Sequence, residues 1–127
     1  MTKSNSTNLC KILVIDDEES ICRLLSTLLK RSNYYVETFT DSTKALQRLD
    51  EYAFDIVITD LQMPNTTGWD IAQHVKENNP KIPVILITAA LSEYDEYLKE
   101  LGIDYIIPKP MSIHHVLDII KEISKVC

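Results

Sequence analysis

Ile56-Val57-Ile58-Thr59-Asp60-Leu61-Gln62-Met63-Pro64 opens as a short apolar, β-branched run and stops at a carboxylate. Ile56 to Thr59 read as a buried strand with Asp60 at its C-terminal tip. Met63-Pro64 and Gly68 mark an irregular loop, after which Ile71, Ala72 and Val75 begin a helical pattern that Asn78-Asn79-Pro80 ends. A carboxylate is costly to desolvate, so at the end of a central strand it must face solvent, a metal or a partner.

The same alternation extends to both sides. Lys11 to Ile15 is an apolar run that stops at Asp16-Asp17-Glu18-Glu19. Ile21, Leu24, Leu25, Leu28 and Leu29 then define one helix face, with Lys30 and Arg31 in the last turn, where cations suit the helix dipole. Tyr35 to Phe39 is a second strand, and Asp41 or Ser42 caps a helix carrying Ala45, Leu46 and Leu49. Beyond the central strand, Ile82 to Ile87 is a fourth strand followed by Thr88. Tyr94, Tyr97, Leu98 and Leu101 share the face of a fourth helix that Gly102 ends. Tyr105 to Ile107 is a fifth strand leading into Pro108-Lys109-Pro110, and Ile113, Val116, Leu117, Ile120 and Ile123 give the last helix. Five strands alternate with five helices, and the strands are continuous apolar runs, so both sheet faces are covered. That pattern predicts a doubly wound, parallel α/β sheet.

At 127 residues the chain fits one domain, read as a disordered tail over 1–10 and a folded unit over 11–127. A net charge of −6 disfavours nonspecific binding to nucleic acid or anionic membrane. No apolar run reaches the length of a membrane span, and Met1 to Asn8 lacks the hydrophobic segment of a secretory signal. Cys10, Cys22 and Cys127 are odd in number and have no metal-ligand spacing, which predicts reduced thiols in a cytoplasmic protein.

In such a sheet, ligands bind beyond the carboxyl ends of the strands. Those ends bring Asp16, Asp17, Asp60, Thr88 and Lys109 to one edge. Singly, the acidic run reads as a helix start, Thr88 as a cap, Lys109 as a surface lysine and Asp60 as a turn former. Their shared placement favours a site instead. Clustered carboxylates repel unless a hard cation lies among them, and Mg²⁺ suits an oxygen-rich site. A metal, a lysine and a hydroxyl together would neutralise a transferring phosphoryl group, with Asp60 as nucleophile.

Over 11–126 the chain resembles a response-regulator receiver domain of bacterial two-component signalling, of the chemotaxis-regulator kind. The resemblance rests on Val14-Ile15-Asp16-Asp17-Glu18, Asp60-Leu61-Gln62-Met63-Pro64 with Gly68, Ile87-Thr88-Ala89, and Lys109-Pro110. It implies a flavodoxin-like strand order 2-1-3-4-5 and an Asp60 that accepts a phosphoryl group from a histidine kinase or histidine phosphotransfer protein. It implies Mg²⁺ held by Asp16, Asp17, Asp60 and the backbone carbonyl of Gln62, and phosphoryl contacts from Thr88 and Lys109. It implies a cis Lys109-Pro110 bond, and a downstream protein target on the face made by the fourth helix, fifth strand and last helix. The chain would be a monomer or a phosphorylation-dependent dimer, standing alone or cut from a longer regulator, with no enzymatic action on an external substrate.

The chain departs from the family pattern in three places. Ile106 stands where an aromatic usually precedes the lysine, and strand alternation puts Tyr105 on the opposite face. The stretch from Thr88 to Gly102 is about one residue short for the family, and Met111 replaces a common Phe. His74, His114 and His115 read as surface residues. Gln62 and Ala90 lie near the expected phosphoryl position, where they would tune water attack. Three competing readings are weaker. A phosphohydrolase would carry an Asp-x-Asp nucleophile after the first strand. A flavin or nucleotide module would need a glycine-rich cradle, and the chain has only two glycines. An interaction module without phosphorylation leaves the complete acidic set unexplained.

Overall fold

The computed structural model describes residues 9–89 and 102–126. Five parallel strands, β1 (Lys11–Ile15), β2 (Tyr35–Phe39), β3 (Ile56–Asp60), β4 (Val84–Thr88) and β5 (Tyr105–Pro108), form one sheet in the order β2-β1-β3-β4-β5. The described helices are α1 (Glu19–Arg31), α2 (Ser42–Glu51), α3 (Gly68–Asn78) and α4 (Ile113–Ile123), which runs into a 3₁₀ turn, Ser124–Val126. The fourth helix expected from Tyr94 to Leu101 lies outside the described residues, as does most of the expected tail. Cys10 is buried, and its backbone carbonyl accepts a hydrogen bond from Tyr35 N.

Strand alternation sorts the core into two layers. Ile12, Val14, Ile56, Ile58, Ile85, Ile87 and Ile107 face one way and pack with Cys22, Leu25 and Leu29 of α1 and Val116 and Ile120 of α4. Leu13, Ile15, Val57, Val84 and Leu86 face the other way, against Ala45 of α2 and Ile71, Ala72 and Val75 of α3. Each fully buried aliphatic side chain contributes about 1.5–3 kcal/mol. Because β1, β3 and β4 are covered on both faces, they read as unbroken apolar runs. Tyr105 is exposed and Ile106 packs with the second layer, so they do point to opposite faces.

Three readings need correcting. The buried face of α1 is Cys22, Leu25 and Leu29, and Leu24 is 42% exposed. Helical spacing placed both residues of each Leu-Leu pair inward, but a 100° step lets only one of two adjacent side chains point straight into the core. The fourth strand begins at Val84, because Ile82 and Pro83 still belong to the turn after α3. Cys10 is disulfide-bonded to a partner outside the described residues, whereas Cys22 is a free thiol. Wide sequence separation argues against a local metal cluster, but a disulfide needs only proximity after folding.

Candidate functional site

The acidic end of β1 is shaped by its own backbone. Glu18 is the N-cap of α1 but makes no side-chain cap bond, and Asp16 Oδ1 instead accepts from Glu18 N at 2.9 Å. This turn holds the Asp16 carboxylate inward, buried, while Asp17 remains exposed. Asp60, also buried, ends β3, the strand next to β1, at the same edge. One ligand oxygen from each of Asp16, Asp17 and Asp60 fits within 4.8 Å of the others.

Lys109 enters this cluster from the end of β5. Its backbone N donates to the Thr88 carbonyl at 2.9 Å, which fixes the segment beside β4. The Lys109-Pro110 peptide is cis, as the resemblance implies. Lys109 Nζ lies 3.0 Å from Asp60 Oδ2, 3.0 Å from Glu18 Oε1 and 3.1 Å from Asp16 Oδ2. The last contact is an ion pair without hydrogen-bond geometry, so Asp16 Oδ2 is buried with no donor directed at it. Three carboxylates share this one ammonium and Asp17 lies beside them, which leaves the pocket strongly negative. Burial pushes the Asp16 carboxyl above the usual carboxylate range, against the opposing pull of Glu18 N and Lys109. Burial alone would lower the Lys109 ammonium, but the three carboxylates outweigh it and hold it protonated.

A tight loop follows Asp60. Leu61 N continues the ladder to the Ile87 carbonyl at 3.3 Å, and Gly68 N returns to the Leu61 carbonyl at 2.8 Å. A Cβ at Gly68 would collide with the Asp60 carbonyl and sit 2.9 Å from Leu61 Cα, so only glycine lets the chain double back here. Asn65 takes the left-handed conformation at φ 72°. Thr67 and Asp70 then close a capping box that starts α3.

The structure thus brings Asp16, Asp17, Asp60 and Lys109 together. Thr88 is buried at the end of β4, and Gln62 is exposed on the loop. His74 is only partly exposed and bonds Asp50 at 2.8 Å, whereas His114 and His115 are exposed. Ala90 lies outside the described residues. The sequence reading missed Glu18 as a partner of Lys109. Its position beside Asp17 at the strand end was the available signal, read only as a favourable helix start. Cys22, whose thiol donates to the Asp16 carbonyl at 3.3 Å, is pushed up to about 11 by burial and stays an unreactive thiol.

The donor set consists of hard oxygens with excess negative charge and one buried oxygen lacking a directed donor. This fits a small divalent cation such as Mg²⁺. Among the described residues no helix is long and apolar enough to cross a membrane.

Comparison with known proteins agrees with this geometry. The model of the response regulator receiver domain family matches residues 12–121. The alkaline phosphatase synthesis transcriptional regulatory protein PhoP of Bacillus subtilis is 36% identical over 91% of this chain and 48% of its own length. The sensory transduction protein RegX3 of Mycobacterium tuberculosis is 32% identical over 90% of this chain and 50% of its own. The chain therefore spans about half the length of these curated relatives. Among solved structures, the chemotaxis response regulator CheY4 of Vibrio cholerae superposes with a TM-score of 0.84 at 27% identity, covering 91% of this chain and 99% of that one. The response regulator TrrA of Thermotoga maritima, solved in complex with Mg²⁺-BeF, gives 0.81 at 28% identity over 91% and 99%. With an acidic strand-end cluster, a lysine paired to its central aspartate and this match over most of its length, the chain belongs to the response regulator receiver domain family, the phosphoacceptor modules of two-component signalling.

Proposed function

We propose that Asp60 is the phosphoacceptor and that residues 11–127 act as one receiver unit. A histidine kinase or histidine phosphotransfer protein would be the donor. A carboxylate oxygen of Asp60 attacks the phosphorus of a phosphohistidine, the P–N bond breaks, and its electron pair returns to the imidazole, which takes up a proton. The product is an acyl phosphate on Asp60. The observation that carries this reading is the 3.0 Å contact between Lys109 Nζ and Asp60 Oδ2 beside two further aspartates. Lys109 offers its ammonium to a phosphoryl oxygen while keeping Asp60 oriented. Thr88, at the end of the adjacent strand β4, would donate its hydroxyl to another.

Asp16, Asp17, Asp60 and the Gln62 carbonyl would hold Mg²⁺, and TrrA with its Mg²⁺-BeF supports that choice of ion. When bound, the ion supplies positive charge that offsets the repulsion between the carboxylates and the incoming phosphoryl oxygens. The protein's own catalysis is confined to taking up and slowly losing this one group. Gln62 and Ala90 would set how readily water attacks it. We place the module in the cytoplasm, where ATP maintains phosphohistidine donors. A downstream protein would read the face that the expected fourth helix would make with β5 and α4, and the module would act as a monomer or as a phosphorylation-dependent dimer.

The test is intact mass after incubation with Mg²⁺ and acetyl phosphate. Wild type gains one phosphoryl group and Asp60→Asn gains none. Equal labelling of both proteins would move the acceptor elsewhere, and labelling of neither would favour an interaction module that does not use phosphorylation.

A further inference from the structure

We propose that Ser42, outside the acidic cluster, is a positioning residue that sets the metal affinity of the site by holding the loop after Asp60. The inference rests on reading that loop, through Gln62, as part of the Mg²⁺ site.

Ser42 is the first residue of α2 and is 3% exposed. It is not the cap. Asp41 fills that role, accepting from Thr43 N at 2.9 Å and Lys44 N at 3.4 Å. The Ser42 hydroxyl is therefore released from its usual task at a helix start. It reaches across to another element and donates to the Pro64 carbonyl at 3.2 Å. Among the described residues, this bond ties the middle of the Leu61–Thr67 loop to α2.

The loop's ends are fixed by its own backbone, through Gly68 N to the Leu61 carbonyl and the Thr67–Asp70 capping box. Thr66 N also turns back to the Pro64 carbonyl at 2.8 Å. The Pro64 carbonyl is thus the shared acceptor of the inner turn and of Ser42. Gln62 lies two residues before it. With the hydroxyl removed, the inner turn keeps one bond and loses its anchor to α2. The Gln62 carbonyl then samples a wider range of positions, and each ligating position must be re-selected when the ion binds.

The effect on affinity is the free energy of one hydrogen bond, a change of about three- to tenfold. It should appear as weaker Mg²⁺ binding and not as a slower step once the ion is bound. Trp69, the single tryptophan of the chain, immediately follows the loop's closing glycine and serves as the reporter.

The experiment titrates Mg²⁺ into wild type, Ser42→Ala and Ser42→Thr by Trp69 fluorescence with calorimetry alongside. It then measures acetyl phosphate labelling at low and at saturating Mg²⁺. Ser42→Ala should bind Mg²⁺ about three- to tenfold more weakly, and its labelling rate should return to within twofold of wild type at saturation. Ser42→Thr, which keeps the hydroxyl, should bind like wild type. Wild-type affinity in Ser42→Ala overturns the proposal, as does equal loss in a folded Ser42→Thr. If the alanine variant does not fold, Ser42→Cys keeps the volume with a weak donor, and its affinity decides the point by the same criteria. If wild type itself neither binds Mg²⁺ nor takes the label, the reading of the site fails before Ser42 is in question.

Discussion

Lys109 Nζ stands 3.0 Å from Asp60 Oδ2, so one ammonium joins the end of β3 to the segment after β5 across the intervening end of β4. The same ammonium faces Asp16 and Glu18 from β1 and the start of α1. Lys109 therefore holds three strand ends together as well as balancing charge.

Lys109→Met keeps most of the stem and removes the charge. Asp16 and Asp60 are then left buried without a cation. Deleting one partner of a buried pair costs about 3–5 kcal/mol, and because Lys109 reaches solvent the lower end applies, about 3 kcal/mol. Urea unfolding in EDTA should show this loss, and added Mg²⁺ should recover part of it. Unchanged stability in EDTA would mean that the ion pairs contribute little.

Asp17→Asn should do the opposite. Asp17 is exposed, makes no ion pair among the described residues, and adds negative charge to a pocket already in excess. Its neutralisation should raise Tm in EDTA by about 2–4 °C. The same change removes a proposed ligand, so the rise in Tm that Mg²⁺ gives wild type should shrink sharply. A lower Tm in EDTA would show that the carboxylate has a structural role.

On the β2 edge, Glu37 and Arg48 form a two-pronged ion pair, with both contacts at 2.8 Å. Arg48 also lies over the Tyr52 ring, 4.4 Å from its centre. Arg48 beside it holds the Glu37 carboxyl below its ordinary value of 4.5, and the Tyr35 hydroxyl adds to the effect. A depressed carboxyl stabilises the fold above the unfolded-state value, and that contribution is lost as pH falls through the folded-state value. Glu37→Gln should therefore melt a few degrees below wild type at pH 7, and the gap should close toward pH 3. A gap that persists at low pH would assign the loss to packing.

The strand ends were legible because a buried parallel strand must be continuously apolar, so the first polar residue after each run marks the sheet's carboxyl edge. Asp16, Asp60, Thr88 and Lys109 were found by that rule alone. What escaped depends on tertiary approach. Glu18 could be read as a helix-start acid until Lys109 was seen to arrive from 91 residues away. Ser42 and Asp41 were interchangeable as caps, and only the nearness of the Pro64 carbonyl separates their roles. The inward side of α1 was misjudged at Leu24 because adjacent leucines leave the phase of a helix ambiguous. Gly68 was legible as a loop marker, but the reason for glycine, the Asp60 carbonyl against its missing side chain, is a contact between residues eight apart.

Gly102 and Lys76 offer the sharpest separation of two causes. Gly102 has φ of +94°, a conformation that costs a residue with a side chain about 1–2 kcal/mol. A Cβ there would also lie 2.9 Å from Lys76 Cγ. The Lys76 stem cannot swing away freely, because its ammonium bonds the Ile82 carbonyl at 2.7 Å and Asp104 Oδ2 at 2.8 Å. Asp104 in turn accepts from Val84 N at 2.8 Å, which anchors the start of β4. Gly102→Ala should thus cost both the conformational term and the crowding, about 2–4 kcal/mol in all. In a Lys76→Ala background the crowding vanishes and the same substitution should cost only about 1–2 kcal/mol. A double-mutant cycle by urea unfolding reads the difference directly. Equal costs in both backgrounds would leave the backbone conformation as the sole reason for glycine at this position.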